Sequence, residues 1–187
     1  SLVGSEMCIR DRVYITLMRY KFGDLTPYIY RSANYGKSWS RLNRGMPNNM
    51  FARVVREDPA REGLLYAGTE NGIYISLDDG RNWQPFQLNL PTVPITDLTI
   101  RNNDLVASTQ GRSFWILDDL SPLHQYSNRI KKSKMHFFNP RPSYRVSGSS
   151  SPSKTIGQNP PNGAVFHFYL KDKLLSLIHI SEPTRLG

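Results

Sequence analysis

From Val13 onward, short apolar runs alternate with clusters of Gly, Pro, Asn and Asp. The middle of the chain shows the pattern best. Ala52–Glu57 is a half-apolar run that ends at Asp58-Pro59, and Leu64–Gly68, Gly72–Ser76 and Trp83–Gln87 follow with turn formers between them. Runs rich in β-branched and aromatic residues, bounded in this way, predict strands. Four short strands in roughly 40–50 residues is the rhythm of one β-propeller blade. Val13–Leu42 reads as strands two to four of a preceding blade, and Ile95–Arg101, Asp104–Ser108 and Ser113–Leu117 as three strands of the next. Its fourth is either Lys134–Phe138 or a segment supplied elsewhere in the ring. The predicted fold is therefore all-β, a partial propeller of about three blades.

An internal repeat supports this reading. Ser32-Ala33-Asn34-Tyr35-Gly36-Lys37-Ser38-Trp39 matches Ser76-Leu77-Asp78-Asp79-Gly80-Arg81-Asn82-Trp83, 44 residues later. Both read Ser-x-Asn/Asp-x-Gly-x-x-Trp. The pattern describes a hairpin turn: Asn34 or Asp78 caps backbone N–H groups, and Gly36 or Gly80 takes a positive φ without a Cβ clash. Trp39 or Trp83 folds its ring under the turn and buries a large apolar area. A third copy is degraded. Ala107–Trp115 resembles Ala67–Ile75 and leads into Leu117-Asp118-Asp119, but the glycine and the spaced tryptophan are gone.

At these residues the chain resembles Asp-box (BNR-type) β-propellers of the sortilin-like class, found in large secreted bacterial proteins often labelled glycosyl hydrolases. Phe51–Pro59, Leu64–Glu70 and Gly111–Asp119 carry the resemblance. It implies a many-bladed propeller, an extracellular or periplasmic location, and binding of polysaccharide or of an extracellular protein. Three blades cannot close a ring that needs at least about four, so the remaining blades are expected outside this sequence. Residues 13–146 are the expected partial propeller, and the Ser/Gly/Pro-rich stretch 147–158 reads as a linker. Asn159–Ala164 resembles the start of a β-sandwich, expected over 159–174.

The two ends read differently. Leu2–Asp11 can be written as CTC GTG GGC TCG GAG ATG TGT ATA AGA GAC, and the reverse complement, in another frame, encodes Leu175–Thr184. That DNA resembles a sequencing-library adaptor, so 1–12 and 175–187 are expected to be translated artefact. The single cysteine, Cys8, falls in that segment, which leaves no disulfide framework.

Composition narrows the function classes. The chain has 39% hydrophobic and 21% charged residues, with 13 Gly and 13 Pro among 187, too apolar for a disordered chain and too punctuated for a helical bundle. No apolar stretch approaches the roughly 18 residues of a membrane span. Net charge is +9, which raises nucleic-acid binding. The one local basic cluster, Arg129–Lys134, reads instead as a solvated connector loop, and nucleic acid is not expected as a partner.

Candidate chemistry divides in the same way. The residues Ser32, Asn34, Gly36, Trp39, Ser76, Asp78, Gly80 and Trp83 are assigned to folding. Glycoside hydrolysis needs two carboxyl groups roughly 5–10 Å apart. Asp24, Glu70 and Asp104 stand on loops, and Asp118-Asp119 at a strand end. Glu70 and Arg112 occupy equivalent loops of adjacent blades, so Glu70 is the candidate catalytic carboxylate and the two together a candidate binding pair, or else ordinary loop charges. Tyr20, Phe22 and Tyr28 are candidates for stacking on sugar rings, or for packing between sheets. His124, His136 and His167 lack metal-ligand spacing, and no cofactor is implied. Two functions follow: a glycan- or protein-binding scaffold module, or a glycoside hydrolase with part of its machinery in other blades.

Overall fold

The computed structural model describes residues 12–142 and 163–171. Residues 1–11 and 175–187 of the expected artefact, the linker 147–158 and the turn at 159–162 lie outside the described residues. Arg12 is described, and its guanidinium pairs with Glu62.

Three antiparallel sheets make up the unit that ends at Leu120. The first holds β1 (Val13–Arg19), β2 (Asp24–Ser32) and β3 (Ser40–Arg41), with a 3-10 turn at Tyr20–Phe22 between β1 and β2. The second holds β4 (Ala52–Glu57), β5 (Leu65–Thr69), β6 (Gly72–Ser76) and β7 (Gln84–Pro85). The third holds β8 (Ile95–Arg101), β9 (Asp104–Thr109) and β10 (Phe114–Leu117). Within each sheet the strands follow in sequence order, and the sheets stack face to face, β1 and β2 on β4, β4 and β5 on β8. Consecutive meander sheets packed in this way form a partial β-propeller.

Alternation explains which residues join the stack. Tyr14 and Ile29 of the first sheet pack against Val55, Leu65, Ala67 and Trp83 of the second, all nearly removed from solvent. The aliphatic side chains among them, Ile29, Val55 and Leu65, each contribute about 1.5–3 kcal/mol through burial. Gly68 keeps the next pair of sheets close. A Cβ there would lie 2.7 Å from Ile95 Cγ2 and from Val54 Cγ1, closer than real carbon contacts allow.

The repeated turns have the same wiring. Ser32 Oγ accepts from the amide of Gly36 at 2.8 Å, and Ser76 Oγ from that of Gly80 at 2.9 Å. Asn34 Oδ1 accepts from Ser38 N at 2.9 Å, and Asp78 Oδ1 from Asn82 N at 2.8 Å. Gly36 and Gly80 have φ of 83° and 79°, left-handed values that glycine adopts at little cost. The two tryptophans differ. Trp83 is 4% exposed and donates Nε1–H to Leu42 O at 3.0 Å, while Trp39 is 43% exposed. The loop Leu42–Gly45 covers Trp83, and no such loop covers Trp39 among the described residues.

Ser121 begins a second unit. It contains α1 (Ser121–Gln125), α2 (Asn128–Lys132), β11 (Met135–Phe137) and β12 (Phe168–Leu170). Two sequence readings are corrected here. Lys134–Phe138 does not extend the third sheet, because β11 pairs with β12 through Met135↔Leu170 and Phe137↔Phe168. Arg129–Lys132 is helical rather than loop: Ser127 Oγ accepts from Ile130 N, and Ile130 is buried on the inner side. The cap and a single apolar anchor were hidden by the run of cations around them.

Candidate functional site

Strand direction sorts the sequence candidates into two ends. β5 and β6 meet at Glu70-Asn71, β9 and β10 at Gln110–Ser113, and β1 and β2 at Tyr20–Gly23. Gly68 beside Ile95 aligns the ends of adjacent sheets. Tyr20, Phe22, Asp24, Glu70 and Arg112 therefore share one end of the stack. Asp104 and Asp119 lie together at the other, where Asp119 N donates to Asp104 Oδ1 at 2.9 Å. Asp118 and the repeated turns are at that far end too. The length of β9, Asp104–Thr109, separates the two ends by about 17 Å at roughly 3.3 Å per residue.

At the near end the side chains form one continuous cluster. The pairing of β4 with β5 skips from Ala52 to Val54, so Arg53 is the extra residue of a β-bulge. Such a bulge re-aims its side chain out of the ladder. Arg53 reaches Glu70, Nε at 2.8 Å and Nη2 at 2.7 Å from the same carboxylate oxygen. Its guanidinium lies 5.2 Å from the Phe51 ring centre, within cation–π range. Phe51 in turn stacks on Tyr20, with centroids 5.0 Å apart and planes 17° from parallel. Phe51 is buried whereas Tyr20 is 47% exposed, so the outer ring presents the stack to solvent. Thr16 Oγ1 donates to Arg53 O at 2.9 Å and ties the bulge to the first sheet.

The third sheet repeats this backbone with other side chains. Its ladder skips Thr96 between Ile95 and Asp97. Gln110 N donates to Pro94 O at 2.9 Å, as Glu70 N does to Phe51 O at 3.2 Å. Thr96, however, turns onto its own sheet and meets Ser108 Oγ at 2.8 Å. Arg112 is exposed, and its carbonyl accepts from Trp115 Nε1 at 2.9 Å. No hydrogen bond or ion pair joins Glu70 to Arg112 among the described residues; the partner of Glu70 is Arg53. Asp24 accepts from Tyr28 Oη at 2.8 Å and pairs with Arg19 at 3.3 Å. The Tyr28 hydroxyl and the Thr26 amide hold its carboxyl below the usual range.

Arg53 and Phe51 are the site residues that sequence reasoning missed. No signal in the sequence marks them: the apolar pair Val54-Val55 follows the bulge in regular register, Val54 facing Ile95 of the third sheet and Val55 the core shared with the first. Phe22 is almost fully exposed, and Tyr28 lies under the Arg41 guanidinium at 4.5 Å. A cleft between the second and third sheets, lined by Phe86, Leu88, Leu105, Trp115 and Leu117, has a volume of about 50 Å³. That is well short of the roughly 300 Å³ where small-molecule pockets begin. Among the described residues no three His, Cys, Asp or Glu side chains converge as a metal site would require, and no helix is long and apolar enough to cross a membrane.

No family model matches the chain, and no curated protein does. Among solved structures it is similar to an ancestral GH74 enzyme, at 19% identity and a TM-score of 0.46 over 58% of this chain and 13% of that one. It is also similar to YCF48 bound to D1 peptide, at 20% identity and a TM-score of 0.35 over 58% of this chain and 34% of that one. The chain thus spans a minor part of either protein.

Proposed function

We propose that this chain is a binding module of an extracytoplasmic propeller protein, holding a glycan or a polypeptide on the end that carries Tyr20, Arg53 and Glu70. The carrying observation is the stack of Tyr20 on Phe51 beside the Arg53–Glu70 pair. A half-exposed aromatic face next to a fixed ion pair offers stacking and directional hydrogen bonds to a sugar or a peptide backbone. The engagement of Glu70 by Arg53 favours binding over hydrolysis. Two Arg53 nitrogens bind one Glu70 oxygen, which ties the carboxylate to its own sheet rather than leaving it free to reach a scissile bond. The acids at the far end are beyond the 5–10 Å that a hydrolytic pair requires.

The test is a panel of polysaccharides and peptides titrated against the chain, with Tyr20→Ala and Arg53→Ala as variants. Saturable binding that weakens about tenfold in either variant supports the module. New reducing ends from any polysaccharide, abolished by Glu70→Gln, would replace it with the hydrolase reading.

A further inference from the structure

The cleft between the second and third sheets repeats the seat of Trp83. In the interface before it, Trp83 lies in one buried cluster with Ile29, Leu42, Met46, Leu65 and Ala67, and Tyr74 packs against that cluster. The 44-residue spacing of the repeats carries Ile29, Leu42 and Met46 to Ile73, Phe86 and Leu90. Hydrogen bonds give the same match. Leu42 N donates to Ile29 O and Phe86 N to Ile73 O, both at 2.8 Å, and Met46 N donates to Asn43 O as Leu90 N does to Gln87 O. Strand register carries the facing pair Ala67 and Tyr74 to Ala107 and Trp115, and Leu65 to Leu105. All six counterparts line the cleft.

Trp83 itself has no counterpart. The third repeat lacks the spaced tryptophan, and the chain enters α1 where the turn would have carried it. The shell of an indole ring is thus rebuilt around a half-open cleft of about 50 Å³. The acceptor is rebuilt too. Trp83 Nε1 donates to Leu42 O; Phe86 O stands in that place and accepts no hydrogen bond among the described residues. The path for a backbone is not rebuilt. Gly45 makes room for the peptide of Trp83, since a Cβ there would clash with Trp83 O. Asn89 stands at that position, and it is Leu88 that takes a positive φ, 46°. A ring therefore reaches this cleft from the solvent side, not along a strand added to the third sheet.

We propose that this cleft anchors a partner polypeptide through the indole ring of one exposed tryptophan, which donates its N–H to Phe86 O. The volume suits a single side chain rather than a whole small molecule. A tryptophan set in a desolvated pocket is also the kind of residue that dominates an interface. The cleft shares no residue with the Tyr20–Glu70 cluster, so neither proposal depends on the other.

The probe is the peptide acetyl-Gly-Gly-Trp-Gly-Gly-amide, titrated into the whole chain while the indole N–H resonances of its own tryptophans are followed by NMR. The Trp115 resonance is expected to shift and saturate, and that of Trp39, half exposed elsewhere, to stay in place. A peptide with alanine for tryptophan is expected to bind at least about tenfold more weakly. One with 1-methyltryptophan, which cannot donate to Phe86 O, should lose about fivefold. Trp115→Ala removes a wall of the cleft and should abolish binding. Phe114→Ala, at an exposed neighbour outside the lining, should leave it unchanged. Circular dichroism checks that both variants keep their sheets, and the Trp115 shift in the parent chain needs neither. No saturable binding, a shift of Trp39 in place of Trp115, equal binding of the three peptides, or loss of binding in Phe114→Ala overturns the proposal.

Discussion

The phenol of Tyr14 donates a hydrogen bond to the carboxylate of Asp79, 65 positions further along the chain. Asp79 belongs to the second repeated turn, so this bond fastens β1 to the neighbouring sheet. Arg31 pairs with the same carboxylate from β2, and Arg12 approaches it at 3.8 Å. Tyr14→Phe removes the one neutral side-chain donor to this carboxylate among the described residues and is expected to cost about 1.5 kcal/mol, the worth of a hydrogen bond to a charged acceptor. Urea unfolding at neutral pH checks the value. A change below a few tenths would show that Arg31 and Arg12 satisfy the Asp79 carboxylate without the phenol.

The alkaline limb of stability follows from the same phenol. Burial, helped by the Asp79 bond, raises the Tyr14 pKa above its usual value, and burial with the adjacent Asp58 raises that of Tyr66. Both folded-state values exceed the unfolded one, near 10. The unfolded chain then loses protons that the folded chain keeps, so stability is complete below about pH 10 and falls as pH rises above it. Urea midpoints taken across that range are expected to decline, and Tyr14→Phe/Tyr66→Phe to flatten the decline.

The two repeated turns invite an exchange of side chains. In the first, the Asn34 amide donates to Ser38 Oγ at 2.9 Å; in the second, Asp78 accepts from the Asn82 amide at 2.6 Å. Partial burial opposes ionisation of Asp78, but the bonds from Asn82 and Ser76 outweigh it and hold the carboxyl below its usual range. The sign is that of a depressed acid: its contribution is present above the unfolded value, near 3.9, and is lost as pH falls through the folded one. Asp78→Asn/Asn82→Ser reproduces the first turn, and is expected to fold at neutral pH while removing this part of the acid dependence. Acid-induced loss of near-ultraviolet dichroism, compared with the parent chain, reads the difference.

Equivalent tryptophans should not respond equally. Trp83→Ala empties a covered site and leaves Leu42 O without its donor, so a loss of about 3–5 kcal/mol is expected. Trp39→Ala, at a half-open position, should cost about 1 kcal/mol or less. Thermal melts of the two variants give the comparison, and similar values for both would contradict the role assigned to Leu42–Gly45.

Much of the fold was legible because its information is local. β4 and β6 fall on the predicted runs Ala52–Glu57 and Gly72–Ser76, where turn formers bracket β-branched residues. The serine, Asn/Asp and glycine of each repeat act within their own turn, so spacing alone announces them. The burial of Trp83 was not local, since it depends on the loop Leu42–Gly45 that precedes its sheet, and the equally spaced Trp39 is half exposed. The short helices at Ser121–Gln125 and Asn128–Lys132 escaped for a related reason. Each is about one turn long, below the length at which a 3.6-residue period can be read. Of the site, Glu70 and Tyr20 were visible as loop residues, but the link between them runs through Phe51 and Arg53. Pairing register places those two, and register is not written in either residue.

The bulges at Arg53 and Thr96 have a consequence for how such a chain can change over generations. A residue outside the ladder's pairing can be exchanged without shifting the register of its neighbours. The second and third sheets thus each carry one position, at the same end of the stack, where chemistry is free to drift while the scaffold is inherited intact. One repeat already holds an arginine aimed at a neighbouring loop, and the next a threonine folded back on itself. Diversification along this rim requires only substitutions, never a new backbone.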